Sequence, residues 1–147
     1  DPARRYSIKN SQKWFEKDGE NPARVFFAIR TLKDDRIIGE IGLNGIRWNH
    51  GDCFVGIGLG ERKYWGKGYG TDAMKVILRY AFTEMNLQRV TLDVFEYNPR
   101  GVRSYEKAGF VHEGRERGTL LREGRRWDVI FMGILRADWL KTQEEKK

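Results

Sequence analysis

Residues 65–71, Trp-Gly-Lys-Gly-Tyr-Gly-Thr, set three alternating glycines around one lysine, just ahead of apolar residues at helical spacing (Met74, Ile77, Leu78, Ala81, Met85). A glycine-rich turn feeding a helix N-terminus holds an anion. The first helical N–H groups lack intrahelical partners, and the aligned peptide dipoles place partial positive charge there. Phosphate is the natural guest. The loop is not of the nucleoside-triphosphatase kind, because Gly66-Lys67 is followed by Gly68 rather than Ser or Thr. It is a poor dinucleotide fingerprint too, since Thr71 stands where the third glycine belongs. Taken alone, the glycines also fit an ordinary tight strand–helix connection. Two histidines, His50 and His112, are too few for a histidine metal cluster, and the single cysteine, Cys53, cannot form an internal disulfide.

These groups need elements to position them. Cys53 to Leu59 alternates as a strand, with Cys53, Val55, Ile57 and Leu59 on one face and Gly56, Gly58 and Gly60 on the other. The glycine face is nearly bare backbone, which marks a bulge or a close approach by a ligand or another chain. A helix opening at Gly70 or Thr71 follows, with Asn86 as its left-handed cap. Arg89 to Glu96 then alternates as a strand. Reaching it through a helix makes it the parallel neighbour of the glycine-faced strand. Two parallel strands that part beyond their first residues leave a slot. Asn98 as N-cap, Pro99 at the first helical position, Gly109 past the end and Phe110 as closing contact bound a compact helix that carries Tyr105.

The 65–71 stretch resembles the acyl-CoA pyrophosphate loop of the GNAT superfamily of N-acetyltransferases, Arg/Gln-x-x-Gly-x-Gly/Ala, which maps onto Trp65, Gly68 and Gly70. Trp65 departs from Arg/Gln in a way familiar from the branch containing the ribosomal-protein N-terminal (alanine/serine) acetyltransferases. Residues 98–110 are similar to a second family pattern, Asn-x-x-(small)-x-x-x-Tyr-Glu-Lys-x-Gly-Phe. The resemblance covers nearly all of the chain. It implies an α/β (α+β) fold: a central mixed, mostly antiparallel sheet whose one parallel pair forms the coenzyme A slot, flanked by helices. It implies one domain over residues 1–147, with the family's N-terminal strand and helix largely absent, and acetyl-CoA as cosubstrate without a metal. The pyrophosphate falls to Trp65, Gly66, Lys67, Gly68, Tyr69, Gly70 and Thr71, chiefly through backbone N–H groups, with Lys63 and Lys67 adding charge. The pantetheine arm falls to the backbone of Ile57, Gly58 and Leu59, with Asn98 nearby. Tyr105 is the expected acid for the departing sulfur, against the alternative of a core aromatic with a satisfied hydroxyl; Asn98 could equally be a plain helix cap.

Acetyl transfer to a primary amine by direct attack on the thioester also needs an oxyanion donor and a base. A backbone N–H near Leu59 could serve as the donor, a type of contact typically worth ~2.7–4 kcal/mol. Glu40, Glu61, Asp52 or an ordered water could serve as the base, and nothing in the sequence ranks them. Two other classes remain: a non-catalytic acyl-CoA sensor of the same fold, and a basic nucleic-acid-binding module. The net charge of +7 is dispersed among acidic residues rather than collected in a block, which favours an anionic cosubstrate over nucleic acid.

The rest of the chain supplies the frame. Asn10 or Ser11 starts a short helix through Lys17, with Trp14 and Phe15 on its apolar side. Arg24–Thr31 and Ile37–Trp48 form an antiparallel pair turning at residues 33–36, the second interrupted by Gly39, Gly42 and Gly45, which suggests strong twist or a bulge. Val111–Leu135 reads as a long hairpin turning at Glu123-Gly124, and Arg136–Lys147 as a short helix with a frayed charged tail. The chain starts at Asp1-Pro2 without an initiator Met and reads as part of a longer product. No stretch reaches the ~20 apolar residues of a membrane span, and no leader is visible, so the default location is cytoplasmic. A homodimer is left open. The acceptor is expected to enter opposite the pyrophosphate, between the helix around Trp14 and the hairpin. There Arg115, Arg117, Arg122, Arg125 and Arg126 disfavour a polycation and suit a peptide or another small-molecule amine.

Overall fold

The computed structural model describes residues 21–146. Alternating apolar residues make six strands: β1 (Val25–Arg30), β2 (Ile37–Arg47), β3 (Asp52–Leu59), β4 (Arg89–Phe95), β5 (Val111–Arg122) and β6 (Arg125–Leu135). They form one sheet in the order β1-β2-β3-β4-β6-β5, antiparallel everywhere except between β3 and β4. Three helices, α1 (Tyr69–Arg79), α2 (Pro99–Ala108) and α3 (Arg136–Glu145), pack on one face. The helix expected around Trp14 lies outside the described residues.

The core lies between the helices and the face of the sheet that carries Cys53, Val55, Val90, Leu92, Val94, Ile130, Met132 and Ile134. Met74, Ile77 and Leu78 of α1 seal against it, as their spacing predicts. The continuous helix expected through Met85 is not what forms. From Tyr80 to Glu84 the chain widens into a π turn that buries Ala81 and Phe82 side by side. Asn86 then ends the element in the left-handed region, at φ 54°.

The bulge expected in β2 falls between Asn44 and Arg47, where Gly45 takes φ 58°. The β5–β6 hairpin turns at Glu123 (φ 56°) and Gly124 (φ 70°). Asp128 fastens it by accepting from Gly118 N at 2.9 Å and Arg115 Nη1 at 3.0 Å, while its own N–H donates to Glu96 Oε2 at 2.7 Å. At the C-terminus, Thr142 to Glu145 is helical rather than frayed. Buried Trp139 packs on Phe82 at 5.4 Å between ring centroids and anchors α3.

Candidate active site

Strands β3 and β4 pair over only three positions, Asp52↔Arg89, Cys53↔Val90 and Phe54↔Thr91. Beyond Phe54 they separate, and a cavity of about 510 Å³ opens at the split. Ile57, Gly58 and Leu59 supply one wall, the loop before α1 supplies the second, and one face of α2 the third. On the side away from the helices the glycine face of β3 stays bare: a Cβ at Gly58 would have no atom within 4 Å.

The loop turns through Gly66 (φ 71°) and Gly68 (φ 87°), conformations that strain any residue with a Cβ. The first i→i−4 bond of α1 runs from Asp72 N to Gly68 O at 2.9 Å, so the N–H groups of Tyr69, Gly70 and Thr71 precede the helical ladder. A Cβ at Gly68 would stand in open space. Backbone donors around an unfilled hollow at a helix N-terminus fit a pyrophosphate. Trp65 ties the loop to the sheet by donating from Nε1 to Leu59 O at 3.2 Å, and the guanidinium groups of Arg62 and Arg100 lie 5.7 and 5.9 Å from its ring centroid. That accounts for a tryptophan at this place: it closes the loop on the strand by packing.

The predicted residues divide. Trp65, Gly66, Gly68, Gly70, Thr71, Ile57, Gly58, Leu59, Asn98 and Tyr105 all line the cavity. Lys67 and Tyr69 do not: Lys67 is exposed, and Tyr69 packs edge-on against Tyr64 at 5.7 Å, so only their backbone belongs to the loop. Lys63 is drawn to Glu61 at 3.5 Å and to the Tyr64 ring. Arg100, Arg103, Ser104 and Lys107 line the cavity although their part was not foreseen. Their spacing of three, four and seven along α2 is the signal, since it puts them on one helix face.

Asn98 caps α2 by accepting from Gly101 N at 3.0 Å. The small residue at 101 follows from that cap, because a Cβ there would meet Asn98 Nδ2 at 2.5 Å. Ser104 and Thr71 share a hydrogen bond at 2.9 Å, joining α2 to the first turn of α1. Tyr105 sits half-buried in the cavity wall, its ring 6.2 Å from that of Phe110. Its phenol is held above its ordinary pKa, first by burial and then by the charge of Asp93, so it stays protonated. Asp93 lies two residues past the last β3–β4 pair. It shares the bare face with Gly58 and with Glu40, which pairs with Gly58 across β2. Of the other carboxylates considered, Asp52 is clamped by Arg47 at the far end of β3 (2.8 and 2.5 Å), and Glu61 is held by Arg36 at 2.8 Å. Among the described residues no cluster of side chains could hold a metal, and no helix is long and apolar enough to cross a membrane.

Residues 2–111 match the family described as the acetyltransferase (GNAT) domain. The chain belongs to the GNAT family. It is accordingly an acetyl-CoA-dependent N-acetyltransferase domain. It is 36% identical over 135 residues to a probable N-acetyltransferase, YjcK, of Bacillus subtilis, covering 91% of this chain and 72% of that protein. It is 31% identical over 113 residues to an uncharacterized N-acetyltransferase, p20, of Bacillus licheniformis, covering 77% of this chain but only 63% of the relative. Among solved structures it is similar to the spermidine N-acetyltransferase of Vibrio cholerae in complex with CoA and spermine, with a TM-score of 0.83 at 29% identity, over 92% of this chain and 79% of that one.

Proposed function

We propose that this GNAT domain acetylates a small cationic primary amine, which reaches the thioester from the bare face of β3 while the CoA pyrophosphate lies in the glycine loop. One observation carries the reading: a single cavity joins the loop before α1, the Ile57–Leu59 end of β3 and Tyr105. Acetyl-CoA supplies the acetyl group as a thioester. The loop N–H groups hold its phosphates, the backbone of residues 57–59 aligns its amide-bearing arm, and Tyr105, kept protonated, gives its proton to the sulfur. Glu40 and Asp93 flank the glycine face on the amine side. They attract an ammonium group and take its proton, directly or through water.

On the acceptor, two likenesses diverge. Trp65 resembles the branch that acetylates ribosomal-protein N-termini, whereas the Vibrio cholerae protein is a spermidine enzyme. Read from sequence, the five hairpin arginines disfavour a polycation. Three of them are engaged: Arg115 with Asp128, Arg122 over Tyr97 at 4.3 Å and Arg125 over Trp127 at 3.9 Å. With those charges matched or stacked, the carboxylates of Glu40 and Asp93 weigh more at the slot, and a polyamine becomes the favoured acceptor.

The test incubates the protein with acetyl-CoA and spermidine, a peptide with a free N-terminus, an aminoglycoside or an acidic amino-acid derivative, and follows thiol release. The expected order puts spermidine first, with Glu40→Gln and Asp93→Asn acting mainly on the KM for the amine. Tight acetyl-CoA binding without turnover of any amine would leave the sensor reading standing. A preference for the peptide would overturn the acceptor assignment alone.

A further inference from the structure

We infer that Arg103 and Lys107 form a subsite for the 3′-phosphate of coenzyme A, so that the protein distinguishes CoA from dephospho-CoA. The inference rests on the acetyl-CoA reading above and adds to it a discrimination within the cosubstrate.

The glycine loop and the first turn of α1 already provide a pyrophosphate with backbone donors and the positive end of a helix. Arg100, the cation of α2 nearest the loop, is occupied. Its guanidinium lies over the Trp65 ring, and its Nη2 stands 2.6 Å from where a Cβ on Gly66 would be. Arg103 and Lys107 are different. They line the same cavity, both are exposed, and neither has an acidic partner among the described residues. At three and seven residues beyond Arg100 they stand roughly 4.5 and 10.5 Å further along the helix axis.

Lys107 also lines a second cavity, of about 560 Å³, between α1, α2 and α3, whose other charged lining is Lys75, Arg79 and Lys146 against the single carboxylate of Glu145. Positive charge therefore continues outward from the loop along the groove between α1 and α2, past the place a pyrophosphate occupies. Coenzyme A carries one more phosphate than its pyrophosphate, a monoester on the ribose with close to two negative charges at neutral pH. Two unpaired cations one helical turn apart suit such a group, and charge-assisted bonds to it are among the stronger polar contacts.

Isothermal titration calorimetry with CoA and with dephospho-CoA separates the outcomes. The wild-type chain is expected to bind CoA about 10- to 100-fold more tightly than dephospho-CoA. In the Arg103→Ala/Lys107→Ala double variant, CoA affinity should fall to the dephospho-CoA level, while dephospho-CoA affinity stays where it was. Arg103→Lys/Lys107→Arg should restore most of the preference. Both side chains are exposed, so an unchanged melting temperature is expected and excludes misfolding as the cause. Equal wild-type affinity for the two ligands would overturn the proposal. So would a double variant that weakens both ligands alike, because the cations would then serve the pyrophosphate. A wild-type chain that binds neither ligand would instead overturn the acetyl-CoA reading itself.

Discussion

Gly58→Ala separates what the sheet needs from what the site needs. Gly58 pairs with Glu40 one position from the end of the β2–β3 ladder, and its φ lies outside the left-handed region, so alanine fits its backbone without strain. No atom stands within 4 Å of the added methyl. Relief of glycine's unfolded-state entropy should therefore stabilise the fold by about 0.5–1 kcal/mol. In a chain of this size that raises Tm by roughly 1–4 °C. On the proposed placement of the reaction, the methyl projects into the space where the acyl group and the amine meet. A displacement of about 1 Å at a reacting centre costs on the order of 10²-fold in rate, so kcat/KM should fall by about that factor. Gly56→Ala is the control. Its Cβ would touch only Asn44 Nδ2 at 3.9 Å, and Gly56 is not part of the cavity wall. It should gain similar stability with unchanged turnover. Scanning calorimetry and a thiol-release assay on the same samples decide the matter. A Gly58→Ala protein with raised Tm and wild-type kcat/KM would refute the placement of the reaction on this face.

Tyr105→Phe should lower kcat by roughly 10²–10⁴-fold with acetyl-CoA affinity unchanged; normal turnover with a lowered Tm would make it a core aromatic instead. Because the folded pKa of Tyr105 is raised, its contribution to stability is complete below about pH 10 and is lost as pH climbs through the folded value, so the phenylalanine variant should show a flatter alkaline limb in Tm against pH. Cys53 is buried, and its thiol is pushed up to about 12, first by burial and then by Asp52. Iodoacetamide at pH 8 should label it only after unfolding, and rapid labelling of the folded chain would contradict its position in the core. Asp128→Ala removes the acceptor of two bonds that hold the hairpin and should cost about 2 kcal/mol, read as a fall in Tm; an unchanged Tm would show that the β5–β6 ladder holds without it.

The sheet and the slot were legible because each depends on a local pattern. Alternation marked β3 with its bare face, and the helix between β3 and β4 dictated a parallel pair. Asn98, Pro99 and Gly109 bounded α2 through capping chemistry that acts within a few residues. What escaped depends on contacts distant in sequence. The π turn at Tyr80–Glu84 is settled by where Phe82 meets Trp139. The arginines of the hairpin looked like a uniform positive field until Tyr97, Trp127 and Asp128 were placed beside them. Asp93 read as one polar residue in an alternating strand. Only the point at which β3 and β4 part sets it beside the slot.

That parting has a mechanical meaning. Three residue pairs hold β1-β2-β3 against β4-β6-β5, so the sheet is two three-stranded panels sharing a short seam. Past the seam, the β4 side of residues 55–59 has no strand against it among the described residues. An extended chain with two amides, laid along that edge, acts as a splint between the panels, much as an added strand does. Occupancy and rigidity then become one variable. Amide hydrogen exchange in β3 should slow from Ile57 to Leu59 when CoA binds and hardly change at Cys53, inside the seam. A product that leaves slowly would hold the two panels together after the acetyl group has gone, making the flexing of this seam a clock for turnover.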